Sequence, residues 1–182
     1  RRRATGVNFG EAFAATAHIV DGRQTRGARS AQGHLSLGYR RGSELNRADL
    51  QELSRVRRRE AHALLRASQH SGAYYLAGYS VECALKACVA RTVQRHDFPD
   101  RNFASRAFTY ELEKLLKLAG LQAALQADTA ANSRLNLNWA IVKDWNVESR
   151  YAHSASRARA NDLDSACTSR THGFLTWVRR RW

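Results

Sequence analysis

Apolar residues fall along the chain in helical rather than alternating order, and one segment is apolar on nearly every side. Leu50, Leu53, Val56, Leu64 and Leu65 mark one side of a stretch whose other positions hold Arg55, Arg57, Arg58, Arg59 and Glu60. That is the pattern of an amphipathic helix. Asn46, followed three residues later by Asp49, supplies a capping box, so a first helix is predicted from about Arg47 to Gln69. The next segment, SGAYYLAGYSVECALKACVA (residues 71–90), approaches the ~20 apolar residues of a membrane span. Glu82 and Lys86 interrupt it, and each mid-helix charge costs on the order of 3 kcal/mol to insert. Glu82 also precedes Lys86 by four positions, the favourable order for a helical ion pair. The stretch is therefore predicted as the central helix of a bundle, starting from an N-cap at Ser71, reaching about Arg95 and covered by neighbours all round. A membrane span is rejected.

The remaining pattern fits the same architecture. HDFPDRNF around Pro99 reads as a loop. Thr109 caps a helix marked by Leu112, Leu115, Leu116 and Leu118, which stops at Gly120, and a shorter helix carries Leu121 and Leu125. Asn138 opens a helical turn, NWAIVKDW. A last helix begins near Ser156, carries Ala158, Leu163, Ala166 and Cys167, and continues past Gly173 through Phe174, Leu175, Trp177 and Val178. Residues 46–182 are thus predicted to be all-α, an up-and-down bundle of four main helices plus short ones. Residues 1–45 show no period and are rich in Arg, Gly and Ser, so a disordered segment is expected there, with a basic nucleic-acid-binding arm as the alternative.

Composition agrees with a helical fold, since the 182-residue chain has a single proline. Its net charge of +14 changes the functional picture more, because such an excess favours polyanionic partners. Nine arginines against three acids in residues 1–48 account for six of those charges, leaving eight on the rest of the chain. The three cysteines, Cys83, Cys88 and Cys167, make no CxxC and no zinc spacing. Cys83 and Cys88 stand about 140° apart on a helix, poor geometry for a bridge. Buried free thiols in a reducing cytoplasm are expected, and no metal or cofactor is implied. FAATAHIV is too short and interrupted for a secretory signal.

The order RRREAHALL, SGAYYLAGYSVECALKACVA, DFP, TYELEKLLKLAGL, NWAIVKDWNVESRY and GFLTWVRRRW resembles HEPN-domain proteins over residues 46–182. The GAYYLAGYSVECALKA helix and the NW…W…SRY segment carry most of that resemblance. It implies an all-α homodimer, often beside a small nucleotidyltransferase that acts as antitoxin, and in many members a toxin or defence ribonuclease that cuts RNA without a metal. The motif of such enzymes pairs an Arg with a His across the dimer cleft. The chemistry suits those residues: His moves a proton near neutral pH while Arg holds the phosphate.

Arg150-Tyr151-Ala152-His153 matches that motif in position, although two residues rather than four separate Arg from His. On one helix, residues three apart share a face, so Arg150 and His153 are the catalytic candidates. The other reading is that Arg150 pairs with Glu148 or Asp144 and tethers the loop while His153 faces solvent. Arg57 and His62 have the longer spacing, but in the first helix, where an arginine-rich, phosphate-attracting face is the simpler account. Arg57, Arg58, Lys86, Tyr151, Arg179 and Arg180 are candidate RNA or phosphate contacts. Glu82 and Lys86 either line the cleft or form a structural pair. Tyr74, Tyr75 and Tyr79 either stack on bases or join Trp139, Trp145 and Trp177 in the core. A non-catalytic HEPN module that binds RNA, a nucleotide or a partner nucleotidyltransferase is the alternative to the ribonuclease.

Overall fold

The structure is a computed structural model that describes residues 45–93 and 101–182. Nearly all of the predicted N-terminal disordered segment and the Pro99 turn lie outside the described residues. The described chain is all-α: eight helices and one 3-10 turn, with no strand among these residues. The helices are α1 (Arg47–Arg66), α2 (His70–Thr92), α3 (Arg101–Ala107), α4 (Leu112–Leu118), α5 (Gln122–Ala131), α6 (Ser133–Lys143), α7 (Arg157–Thr168) and α8 (Phe174–Arg179). The 3-10 turn, Val147–Tyr151, stands between α6 and α7. No helix among the described residues is long and apolar enough to cross a membrane.

Helix α1 starts where its sequence predicts. The Asn46 side chain accepts hydrogen bonds from the amides of Ala48 (2.8 Å) and Asp49 (3.1 Å), and Asp49 accepts one from the Asn46 amide (3.1 Å). This reciprocal box satisfies amides that a bare helix end leaves unpaired. Helix α1 then turns through Ala67–Gln69 and packs along α2. Helix α2 is the centre of the domain and touches α1, α4, α7, α8 and the 3-10 turn. Its small and apolar residues Ala73, Ala77, Val81, Ala84, Leu85, Ala87, Cys88 and Val89 are all buried, as an all-round apolar helix requires. The core is completed by Leu112 and Leu115 of α4, Val142 of α6, Leu163 of α7, and Phe174 and Val178 of α8. The cysteines are free and buried; burial pushes the Cys83 thiol up to about 12 and Cys88 to about 11, which makes both inert as nucleophiles.

Several expected boundaries move: α1 ends at Arg66 rather than Gln69, and Glu111, not Thr109, precedes α4, with the Thr109 hydroxyl accepting from the Glu111 amide (3.2 Å). Ser71 is not the cap of α2, which begins one residue earlier after Gln69; instead its Oγ accepts a hydrogen bond from the Ala155 amide (2.8 Å). Arg101–Phe103, expected in the loop, begin α3. Asn138 sits inside α6, whose start is capped by Asn132 accepting from the Leu135 amide (3.1 Å). The last predicted helix is two helices. Asn138 donates to the His172 carbonyl (2.8 Å) and Asn132 bonds the His172 ring (3.0 Å), which anchors the break between α7 and α8. Gly173 is needed there, because a Cβ would lie 2.5 Å from the Ser169 carbonyl and 2.7 Å from that of Cys167. Ala158 is exposed, and Ala160 is the buried residue of that turn.

Among the described glycines, Gly78 is the most closely approached, by Trp145. Trp145 is 3 % exposed, and a methyl group on Gly78 would overlap its indole ring. Gly78→Ala ordinarily gains helix propensity, about 1 kcal/mol. Here overpacking dominates, and the substitution is expected to destabilise the domain by about 1–3 kcal/mol. Urea unfolding of the two proteins checks this; a variant as stable as the parent contradicts the packing.

Candidate functional site

A polar stripe runs along one side of α2 through Ser71, Tyr75, Tyr79, Glu82 and Lys86, three or four residues apart. The segment from Trp145 to Ala155 lies against it, seated at one end by Trp145 on Gly78 and at the other by the Ala155–Ser71 hydrogen bond. Tyr75 stacks on Tyr79 with ring centroids 5.9 Å apart and meets Trp145 at 6.2 Å. Arg57 of α1 reaches the stripe from the other side, its guanidinium 5.6 Å from the Tyr79 centroid and bonded to Glu60 at 2.6 Å. Tyr75 feels Glu82, Arg150 and Arg57 together: burial first, then the Glu82 charge, hold its hydroxyl proton more tightly, and the two arginines oppose this. The stripe is therefore a meeting place of α1, α2 and the 3-10 turn.

At its far end stands the ion pair that the sequence predicts. Lys86 Nζ donates to Glu82 Oε1 at 2.8 Å and lies 4.9 Å from the Tyr110 centroid. Glu82 is 2 % exposed, and its second oxygen, Oε2, is buried with no hydrogen-bond partner. Burial raises its pKa above the usual carboxylate range, although Lys86, mainly, and Arg150 pull it down.

Arg150 and His153 do not share a helix. Arg150 belongs to the 3-10 turn, which ends at Tyr151; Ala152 is extended, and His153 follows as an exposed residue. The expected common face is absent because the chain straightens between the two residues. Arg150 lies 4.0 Å from Glu148 and 4.6 Å from the Tyr151 ring centroid. Tyr151 is 68 % exposed, the most open large apolar or aromatic side chain among the described residues. Its ring and the Arg150 guanidinium present a stacking surface and a cation side by side.

The other candidates separate. Arg58 is half-buried on α1, and Arg179 at the end of α8 feels its charge. Arg180 is exposed and lines a cavity of about 550 Å³ with Asp128, Thr171, Trp177 and Arg181. In that cavity Asp128 accepts from the Trp177 indole (2.7 Å) and from Arg181 (2.6 Å). His62 is 4.0 Å from Asp164 and does not join Arg57. Tyr74 is buried, Tyr75 and Tyr79 are half-buried, and Trp139, Trp145 and Trp177 belong to the core or pack against it. Sequence reasoning missed Tyr110, Arg55 and Trp182. Arg55 carried a signal, one turn from Arg58 on α1; Tyr110 and Trp182 stand at the edges of helical segments, outside their apolar pattern. Compared with family models, curated proteins and solved structures, the chain matches none.

The buried pair makes stability depend on pH in a defined direction. A carboxyl whose folded pKa is raised keeps its proton longer in the folded protein than in the unfolded chain. Glu82 therefore removes stability as pH rises past about 4.5, its ordinary value. Lys86→Met removes the larger opposing charge and leaves Glu82 buried alone, with an expected loss of about 3 kcal/mol at neutral pH. Urea midpoints measured near about pH 5 and about pH 8 should show a much smaller gap between parent and variant at the lower pH. Equal gaps at both would mean that Glu82 does not feel the loss.

Proposed function

We propose that this chain is a HEPN-type helical module that binds single-stranded RNA, with Arg150 and Tyr151 as its contact to base and backbone. The observation that carries this reading is Tyr151, open to solvent and stacked with a guanidinium, in a chain of net charge +14. An exposed ring offers a π-face to any base, and an adjacent cation attracts the phosphate beside it. Arg57 and Lys86 contribute field rather than direct contact, since each is already bonded to a carboxylate. The homodimer and the nucleotidyltransferase partner belong to the same reading and rest on the resemblance.

A second reading, metal-independent cleavage by Arg150 and His153, is favoured by one feature. Both residues sit on a segment held at Trp145 and at Ala155, so their spacing is fixed by the fold. His153 would serve as the proton carrier and Arg150 as the phosphate ligand.

Fluorescence anisotropy with a labelled single-stranded RNA tests the binding. Affinity should fall as salt rises, and Tyr151→Ala should weaken it by about 1–3 kcal/mol, the usual value of one stacked base. Unchanged affinity in that variant removes the site. Incubating the same RNA with EDTA separates the two readings: cleavage that disappears in both His153→Ala and Arg150→Ala makes the module an enzyme, and intact RNA leaves it a binder.

A further inference from the structure

We propose that Arg55 and Arg179, which share the Trp182 ring, and Arg58, one turn from Arg55, form a binding site for one phosphate group. The proposal deepens the polyanion-binding reading above and rests on it for the class of ligand, but it uses a different face of α1 from the one that meets Tyr79. Arg55 and Arg58 stand one turn apart on α1, and Arg179, the last residue of α8, meets Arg55 at the Trp182 ring. Trp182 holds two of the three cations, Arg55 at 5.1 Å and Arg179 at 5.7 Å from its ring centroid. The crowding acts on Arg179: burial, then the charges of Arg58 and Arg55, make its guanidinium give up a proton more readily than usual.

Arg58 and Arg179 make no ion pair with a carboxylate among the described residues, and Arg55 shares its acid, Glu52, with Arg59. Nε and Nη2 of Arg179 and Nε of Arg58 are buried and have no hydrogen-bond partner. The carboxylates nearby are committed elsewhere. Glu52 is divided between Arg55 (3.2 Å) and Arg59 (3.4 Å), and Asp164, which feels the charge of Arg58, faces His62 at 4.0 Å. Like charges held together with unused donors raise the energy of the empty site, and a multivalent anion relieves both penalties at once.

Phosphate fits better than a carboxylate. It offers three acceptor oxygens and up to two charges, enough to meet three guanidiniums whose planar forks each take two oxygens. Arg55 is exposed while Arg58 and Arg179 are half-buried, so the anion arrives from solvent and a small rotation of the guanidiniums turns their inner N–H groups onto it. The Trp182 ring serves to hold the two guanidiniums in place.

Thermal unfolding of the full chain in sodium phosphate, against sodium chloride at matched ionic strength, tests the site. A ligand that binds only the folded state raises the midpoint with concentration. The parent protein should gain stability in phosphate beyond chloride, while Arg179→Gln and the double substitution Arg58→Gln/Arg179→Gln should lose that gain. Arg55→Gln, at an exposed position, serves if a half-buried substitution unfolds the domain, and should weaken phosphate about tenfold. An equal response in parent and variants overturns the proposal. Anisotropy with 5′-phosphorylated and 5′-hydroxyl forms of one RNA identifies the source. A 5′-phosphate preference lost in Arg179→Gln assigns a terminal phosphate; equal weakening of both RNAs assigns a backbone phosphate. RNA binding that persists without any phosphate response sinks this site alone. A phosphate response without RNA binding supports it and sinks the RNA reading instead.

Discussion

The indole of Trp145 lies where Gly78 has no side chain, and the arrangement of the candidate site follows from that contact. Helix α2 is covered on nearly every side, and Gly78 leaves room on it for the indole. Trp145 takes that room directly after α6 and directly before the 3-10 turn. The turn then has one place to go, along the stripe of Tyr75, Tyr79 and Glu82. The second fastening, Ala155 to Ser71, closes the segment at its other end. Arg150, Tyr151 and His153 are held between these two points even though their own side chains are exposed and make few contacts. A rigid element thus positions a loop whose residues contribute little to holding it, the usual division between scaffold and site.

The same crowding creates the domain's least comfortable group. Glu82 lies on the most buried helix, bonded through one oxygen to Lys86 while the other has no partner. A buried ion pair of this kind is seldom a net source of stability, because desolvation offsets attraction. Its effect is to bind Lys86 in place over the Tyr110 ring and to spread negative potential under Tyr75. Lys86 is then a weak ligand for an external phosphate, since its charge is already answered.

Several of these features were legible in the sequence because they are local. The Asn46–Asp49 box, the Glu82–Lys86 pair and the all-round apolar character of α2 depend on residues within one or two turns. What escaped depends on distant residues. Ser71 looks like an N-cap, yet its hydroxyl is taken by Ala155, 84 residues away. Apolar residues on both sides of residues 168–173 read as one helix, but Asn132, the cap of α6, and Asn138 within it hold His172 outside any helix, and Gly173 allows the close approach. Arg150 and His153 have helical spacing in sequence, but the turn between them ends at Tyr151, so spacing did not become proximity.

The run of arginines on α1 shows why charge alone does not locate an interface. Arg55, Arg57, Arg58 and Arg59 follow one another closely enough to point in every direction around the helix. Arg57 turns to Glu60 and Tyr79, and Arg59 and Arg55 share Glu52. Arg58 makes no ion pair with a carboxylate among the described residues, and neither does Arg179, which feels its charge. A surface guanidinium beside an acid contributes little to an approaching phosphate, because that phosphate must displace the acid first. Two guanidiniums that repel each other and hold buried, unused donors have nothing to displace. Where arginines are most numerous on α1, three of the four are answered by acids, so the number of arginines does not by itself locate an interface.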